Sequence, residues 1–368
     1  MDTKQMQKAG DNANQVQANT VYILNGISEE RVREICSEIA LQAIKENSHE
    51  ANDIALKRID NLTNLMLPRL QSIEQTFESF SDPSFQILIR KAQITAASSD
   101  REGDYKILTE LLVHRINNKK NIKKKASISK AIEIIDQIDN DSLAALTMVH
   151  AIDCFFPVTG NISEGIQVLS DLYEKIGYSD LPTDNLWIDN LSILGCISVA
   201  TFFKPNNLED QFCNSLDGYT CVGIKKGDSK YAEACTLLAT HDINGNILVD
   251  HELNDGYVRL NIVQRQQINN LIYSKTIIVD GLPKIEQTKI TQNQKNCLEN
   301  IFGLYSKDNV LAKKVNEEFI KLLRSHKAIE SIIDWKNKIG TAFNLTSVGK
   351  VIAHANAKKI DPTLPDLD

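Results

Sequence analysis

The chain has 368 residues, 42% apolar and 24% charged, with 16 Gly and 8 Pro; this excludes collagen-like, disulfide-scaffold and wholly disordered classes and points to helices joined by short turns. With 41 Lys and Arg against 48 Asp and Glu, the formal charge is −7, so a nucleic-acid coat over the whole surface is excluded and only a local basic patch stays open. Seven scattered cysteines behind a polar N-terminus without an apolar signal core disfavour a disulfide framework and point to reduced thiols in a cytoplasmic setting.

In chain order, residues 1–27 stand apart. GDNANQVQANTVYILNGI has no helical period, and Val16 with Ala18, then Val21 with Ile23, alternate as short strands do. So short a piece needs neighbours, and it reads either as a polar tail or as a β-prone oligomerisation segment where copies of the chain meet. Ser28 then offers an N-cap, with Glu29 and Glu30 in the first turn and Ile27 and Val32 as a hydrophobic staple. Val32, Ile35, Cys36, Ile39, Ala40, Ala43 and Ile44 follow on one helical face. Beyond the polar stretch 46–53, Ile59, Met66, Ile73 and Phe80 recur seven apart, as do Leu70 and Phe77. This heptad-like seam fits packing inside the chain's own bundle or an interface between chains, and Pro68 is expected to kink or break its helix into two parts.

Ser81-Asp82-Pro83 supplies a cap and first-turn proline for a helix carrying Phe85, Leu88, Ile89 and Ala92. Helices are predicted over 106–116, 127–138, 141–155 with Asp141 as cap, and from Ser163 through Val168, Leu169 and Leu172. Residues 186–203 approach the length of a membrane span, but Asp189, Asn190 and Ser192 near the start and the lack of a basic flank fit a buried core helix instead. Periodicity fails over 204–227, which predicts an irregular connection. A helix at 230–240 leads into HDINGNILVDHELNDGYVRLNI, where Asn244-Gly245 is placed to turn a hairpin. Helices are then predicted over 263–273, 291–304, 309–325 and 328–338, with a short one from Ser347 and an acidic, Pro-rich tail.

These elements predict a mainly α fold: a multi-helix bundle or array with a short β-prone N-terminal segment and a small β-hairpin insertion. The divisions are 1–27, an N-terminal helical bundle 28–118, a central helical domain 126–304 with an irregular 204–260 insertion, a basic C-terminal module 305–360 and a tail 361–368. No internal repeat is strong enough to define a solenoid.

Chemistry-bearing motifs are sparse. Neither GxxxxGK[ST] nor GxGxxG occurs in a phosphate-binding setting, and no cofactor is implied. The densest metal-type cluster is His241, Asp242, Asp250, His251 and Glu252, but the residue that would complete HExxH is Asp255, and a polar turn explains the cluster equally well. Cys213, Cys221 and Cys235 lack zinc-ligand spacing. His150 and Cys154 stand one helical turn apart on an otherwise apolar helix, which favours a core histidine over a nucleophile's partner. Lys119, Lys120, Lys123, Lys124 and Lys125 form the densest charge run, either a solvated loop, a phosphate-contacting patch or a site for an acidic membrane surface. The segment 305–360 holds eleven basic against five acidic residues, and Lys336, Lys338 and Lys350 there join the nucleic-acid candidates.

Within that segment, FNLTSVGKVIAHANA resembles the end of a winged-helix domain through Phe343, Leu345, Thr346, Gly349, Ile352 and Ala353. The resemblance implies a wing strand, a Thr-capped closing helix and a module that binds DNA or dimerises. Taken whole, the chain is similar to a family of uncharacterised bacterial proteins linked to phage-defence or abortive-infection loci, through QKAGDNANQVQA, the all-helical middle and LTSVGKVIAHANA. That likeness carries no catalytic motif. The expectation is therefore a non-enzymatic, self-associating interaction or sensor protein: a homo-oligomer with an unknown protein partner and no membrane partner. The alternatives are a DNA-binding regulator acting through the C-terminal module and a metal-dependent nuclease or phosphohydrolase built on residues 241–252.

Overall fold

Helical amphipathicity accounts for the first half of the molecule. The computed structural model describes residues 29–43, 49–73, 77–118, 121–200, 205–279 and 282–367, so segment 1–27, its Ser28 cap, Lys119 and Lys120 lie outside the described residues. Helix α1 (Glu29–Ala43) buries Val32, Ile35, Cys36 and Ala40 and turns Arg31, Arg33 and their glutamate partners to solvent. Helix α2 (His49–Gln71) buries Ala55, Ile59, Leu62, Met66, Leu67 and Leu70. Pro68 does not split it: the proline sits in the last turn, where the backbone bond it removes lies next to the helix end. Ile59, Met66, Leu70 and Phe80 are buried inside this chain and Ile73 packs against the same core, so the heptad seam is an internal contact.

A 3-10 turn (Phe77–Ser81) leads to α3 (Pro83–Ser98), where Asp82 accepts from the Ser84 N–H as the cap motif predicts. After α4 (Glu102–Asn117), α5 (Ile122–Ile134) begins ahead of its apolar stripe, because Asn121 accepts from the Lys124 N–H and caps the helix early. Lys123, Lys124 and Lys125 thus lie in a first helical turn and not in a loop. The caps of α6 (Asn140–Cys154) and α7 (Ile162–Ile176) are Asp139 and Asn161, not Asp141 and Ser163. In each case the residue preceding the helix holds the extended backbone that a cap requires.

The apolar stretch 186–203 is not one helix. It forms α8 (Leu186–Ile193), turns at Gly195 with φ +71°, and continues as β1 (Ile197–Val199). No helix among the described residues is long and apolar enough to cross a membrane. The connection expected at 204–227 holds α9 (Leu208–Ser215), capped by Asn207, then α10 (Asp217–Thr220) and β2 (Ile224–Lys225). After α11 (Ser229–Thr240), Asn244 caps a 3-10 turn, and the hairpin reverses later, between β3 (Leu248–Asp250) and β4 (Tyr257–Leu260). Strand β4 is central in a three-stranded sheet of order β2-β4-β3.

The helix expected at 263–273 is replaced by a 3-10 turn (Arg265–Asn270) entering β5 (Ile272–Val279), which pairs with β6 (Leu282–Lys289) alone. The β-branched run Thr276 to Val279 and the Asp280-Gly281 dipeptide between the paired Val279 and Leu282 are the strand and hairpin signals. Helices α12 (Gln292–Gly303), α13 (Asn309–Arg324) and α14 (Lys327–Lys338), strand β7 (Phe343–Leu345) and α15 (Ser347–Ile360) complete the mainly α fold.

Helix α15 positions the rest. From Val351 to Ala357 every residue is buried. Val351, Ile352, Ala353 and Ala355 belong to a first core with α1 to α6, while Ala357 joins a second core with α7, α9, α13 and α14. A third core joins β2 and β4 to α11 and α12. Segment 305–360 therefore supplies helices to two cores. Strand β7 pairs antiparallel with β1, Thr346 caps α15 by accepting from the Gly349 N–H, and a Cβ on Gly349 would stand 2.1 Å from the Cys196 carbonyl oxygen. Gly349→Ala is expected to cost about 2 kcal/mol by forcing these backbones apart, read as a lower urea midpoint.

Candidate functional site

The acidic and histidine residues of 241–252 are dispersed into structural roles. The His241 ring packs its Nδ1 2.9 Å from the Leu237 carbonyl, and Asp242 has a left-handed φ of 52° at the end of α11. Asp250 pairs with Lys226 at 2.7 Å. His251 donates from Nε2 to the Cys221 carbonyl at 2.6 Å, and its Nδ1 accepts from the Leu253 N–H, so its lone pair is occupied. Glu252 reaches back across the chain to accept from the Ile162 and Ser163 N–H groups at 2.9 and 3.1 Å, capping α7 from outside. Among the described residues no group of three His, Cys, Asp or Glu side chains is arranged to hold a metal ion.

Glu252 also faces Arg259 at 3.5 Å, a guanidinium with 0% exposure. Arg259 donates to the Gly160 carbonyl at 2.6 Å and the Leu260 carbonyl at 3.1 Å, and it lies 5.5 Å over the Tyr219 ring. Tyr219 in turn donates to the Thr159 carbonyl. This buried charge, which sequence reasoning missed, ties the three-stranded sheet to the turn that starts α7. Its only sequence signal is a single Arg within the short strand Tyr257 to Leu260, whose neighbours Val258 and Leu260 are buried as well.

The basic candidates do not form one surface. Lys123 to Lys125 occupy the first turn of α5; the Ser84 N–H and hydroxyl hold the Asp82 carboxyl below its usual range, and the charges of Arg115 and Lys125 add to the effect. Lys336 lies 4.9 Å over the Phe343 ring, where burial lowers its pKa. It shares the field of Asp153 with Lys350, whereas Lys338 stands at the mouth of a different cleft beside Asp184 and Trp335.

The side chains that do converge line a cleft of about 670 Å³ between the second half of α7 and the C-terminal tail. Phe155, Phe156, Pro157 and Val158 form one wall, Val168, Leu169 and Leu172 of α7 a second, and Leu364 and Pro365 of the tail a third. The 361–365 strap is held by Lys175, which donates to Asp361 at 2.8 Å, and Thr363 donates to the same carboxylate. These bonds hold the Asp361 carboxyl down at about 2. Gln264 and Gln267 add neutral polar groups at the edge, and burial pushes the Cys154 thiol up, away from a reactive thiolate.

Behind the first wall, Phe155 packs against His150 and His354 at ring separations of 5.4 and 5.8 Å. The two histidines hydrogen-bond Nε2 to Nδ1 at 3.2 Å in the core, so His150 pairs with His354 and not with Cys154. Next to them, Asn356 donates to Thr147 at 2.8 Å. Burial, reinforced by His354 and Lys350, lowers the His150 pKa to about 3; burial, His114 and Lys358 lower that of His354 to about 4. The signal for this pair lay in polar His354 and Asn356 set among alanines, but which helix they would face is not written in the sequence.

A protein-family model whose description reads ":-like" matches residues 26–367. The chain belongs to that family. The match covers all but the two ends of the chain and carries no activity with it. No curated protein and no solved structure matches the chain.

The buried histidines set a pH dependence. His150, His354 and His251, the last lowered to about 4 by burial, stay neutral in the fold below their ordinary value of 6.5. Above that value both folded and unfolded chains are neutral there. As pH falls, the unfolded chain takes up protons that the fold refuses, so stability declines between about pH 6.5 and 4. Urea midpoints measured across this range are expected to fall, with a shallower slope in a His150→Gln and His354→Gln double variant than in the wild type.

Proposed function

We propose that the chain is a self-associating interaction or sensor protein that binds a largely apolar small molecule in the cleft beneath its C-terminal strap. The observation that carries this reading is the cleft itself: about 670 Å³, within the range of small-molecule sites, walled mostly by aromatic and aliphatic side chains with a few polar groups at the rim. Binding rather than turnover suits the groups that face it. The Cys154 thiol is held protonated, and Lys175 and Asp361 neutralise each other. Ligand entry would be felt by the strap and, through Phe155, by the buried histidine pair linking α6 to α15. The likeness of residues 7–18 and 345–357 to bacterial proteins linked to phage defence supports placing the binding event in that setting.

Anilinonaphthalene sulfonate, an apolar anionic fluorophore, tests the cleft. Val168 is 52% exposed at its mouth, so Val168→Arg places a charge there without disturbing the core. The wild type is expected to bind the probe with a saturable fluorescence rise, and Val168→Arg to weaken it at least tenfold, about 1.4 kcal/mol, at an unchanged unfolding temperature. Equal binding by both proteins, or none by the wild type, overturns the cleft assignment.

A further inference from the structure

Among the described residues two sheets meet no third strand, the three-pair β1–β7 ladder and the ribbon formed by β5 and β6; the ribbon is the longer, with eight pairs, and its two edges are not equivalent. A two-stranded ribbon of this kind is marginal in water, and natural sheets blunt exposed edges with proline, charge or cover. Strand β6 is blunted: it reads LPKIEQTK, with Pro283 opposite Ile278. Proline has no N–H to give the ladder, so that pair turns its backbone groups away from each other. The alternation of an antiparallel ladder then points Pro283, Ile285, Gln287 and Lys289 outward on the β6 edge, which lacks a donor at 283. On the β5 edge the outward positions are Ile272, Ser274, Thr276 and Ile278, each with both a donor and an acceptor.

We infer that the free edge of β5 is the surface through which two copies of this chain pair, forming a continuous four-stranded sheet in the order β6-β5-β5-β6. This rests on the self-association half of the function proposed above, and it names the element responsible. The occupant is a second copy because the edge is self-complementary. A two-fold axis normal to the sheet keeps each residue on its own face, so only registers centred on a single residue are allowed. Two such registers keep most of the strand paired. One centred on Lys275 sets the two lysines directly opposite each other, which is unfavourable. One centred on Thr276 pairs Thr276 with its copy, Ser274 with Ile278, Lys275 with Ile277 and Tyr273 with Val279. It joins outward-facing backbone groups to outward-facing ones throughout and opposes no like charges. The route differs from both sequence expectations: the heptad seam packs in the chain's own core, and segment 1–27 lies outside the described residues.

The test uses the full chain at micromolar concentration, with mass read by light scattering. Thr276→Pro removes an outward N–H while leaving the inward bonds of Lys275 and Ile277 to β6 in place, so the wild-type dimer is expected to fall to half its mass with unchanged helical circular dichroism. A dimeric Thr276→Pro protein overturns the inference while leaving self-association standing. A monomeric wild type overturns both. Covalent trapping gives a second measurement that tolerates no misfolded background. In a chain whose exposed Cys154 and Cys235 are changed to serine, Thr276→Cys is expected to form a disulfide-linked dimer under mild oxidation, because Cα atoms of a hydrogen-bonded pair lie about 5.5 Å apart. Cysteine in place of Lys284, on β6, is expected to give none. Equal cross-linking of the two, or none at position 276, counts against the β5 edge.

Discussion

The seating of α15 against α6 is the constraint on which the molecule depends. Asn356 donates to Thr147 and His354 meets His150, so two polar side chains that could not enter an apolar core alone enter it in pairs. Around them, Val351, Ile352, Ala353 and Ala355 close the first core and Ala357 reaches the second. A helix surrounded on every side must bring small residues where neighbours approach closely, and the alanines of AHANA together with Gly349 meet that demand. The end of the chain is thus the keystone of elements that precede it by more than two hundred residues.

A buried charge does for the sheet region what α15 does for the helices. Arg259 is enclosed by the Gly160 and Leu260 carbonyls, the Tyr219 ring and Glu252, and Glu252 in the same stroke caps α7. Desolvating a guanidinium is costly, and it is tolerated here because both terminal nitrogens meet carbonyls, one of them also faces the Glu252 carboxylate, and the group lies over the Tyr219 ring, although the buried Nε has no hydrogen-bond partner. The consequence is a fixed start to α7. Because α7 forms one wall of the cleft and its Lys175 anchors the strap, the geometry of the candidate site descends from a strand residue outside it.

Local signals carried the helices well. Asp82 before Pro83, Thr346 before Gly349, and the three-and-four spacing in α1, α3 and α13 place those elements within a residue or two of where they fold. The candidate site was legible only in fragments. His150 read correctly as a core histidine, but its partner lies 204 positions away, and no spacing rule spans that distance. His251 and Glu252 looked like metal ligands because residue type alone does not reveal that one lone pair is taken by a backbone N–H and the other carboxylate by a helix end.

By itself the sequence determined the mainly α class, the apolar faces and most helix starts, because these depend on contacts within one or two turns of chain. It also held the Asp280-Gly281 hairpin signal, although the helical reading of 263–273 passed over it. Only the tertiary structure decided that 186–203 bends at Gly195 into β1, that the heptad seam faces inward, and that Phe155, α7 and the tail enclose one cleft. Each of those outcomes turns on which distant surface lies opposite a residue, and the burial that results outweighs local propensity wherever the two conflict.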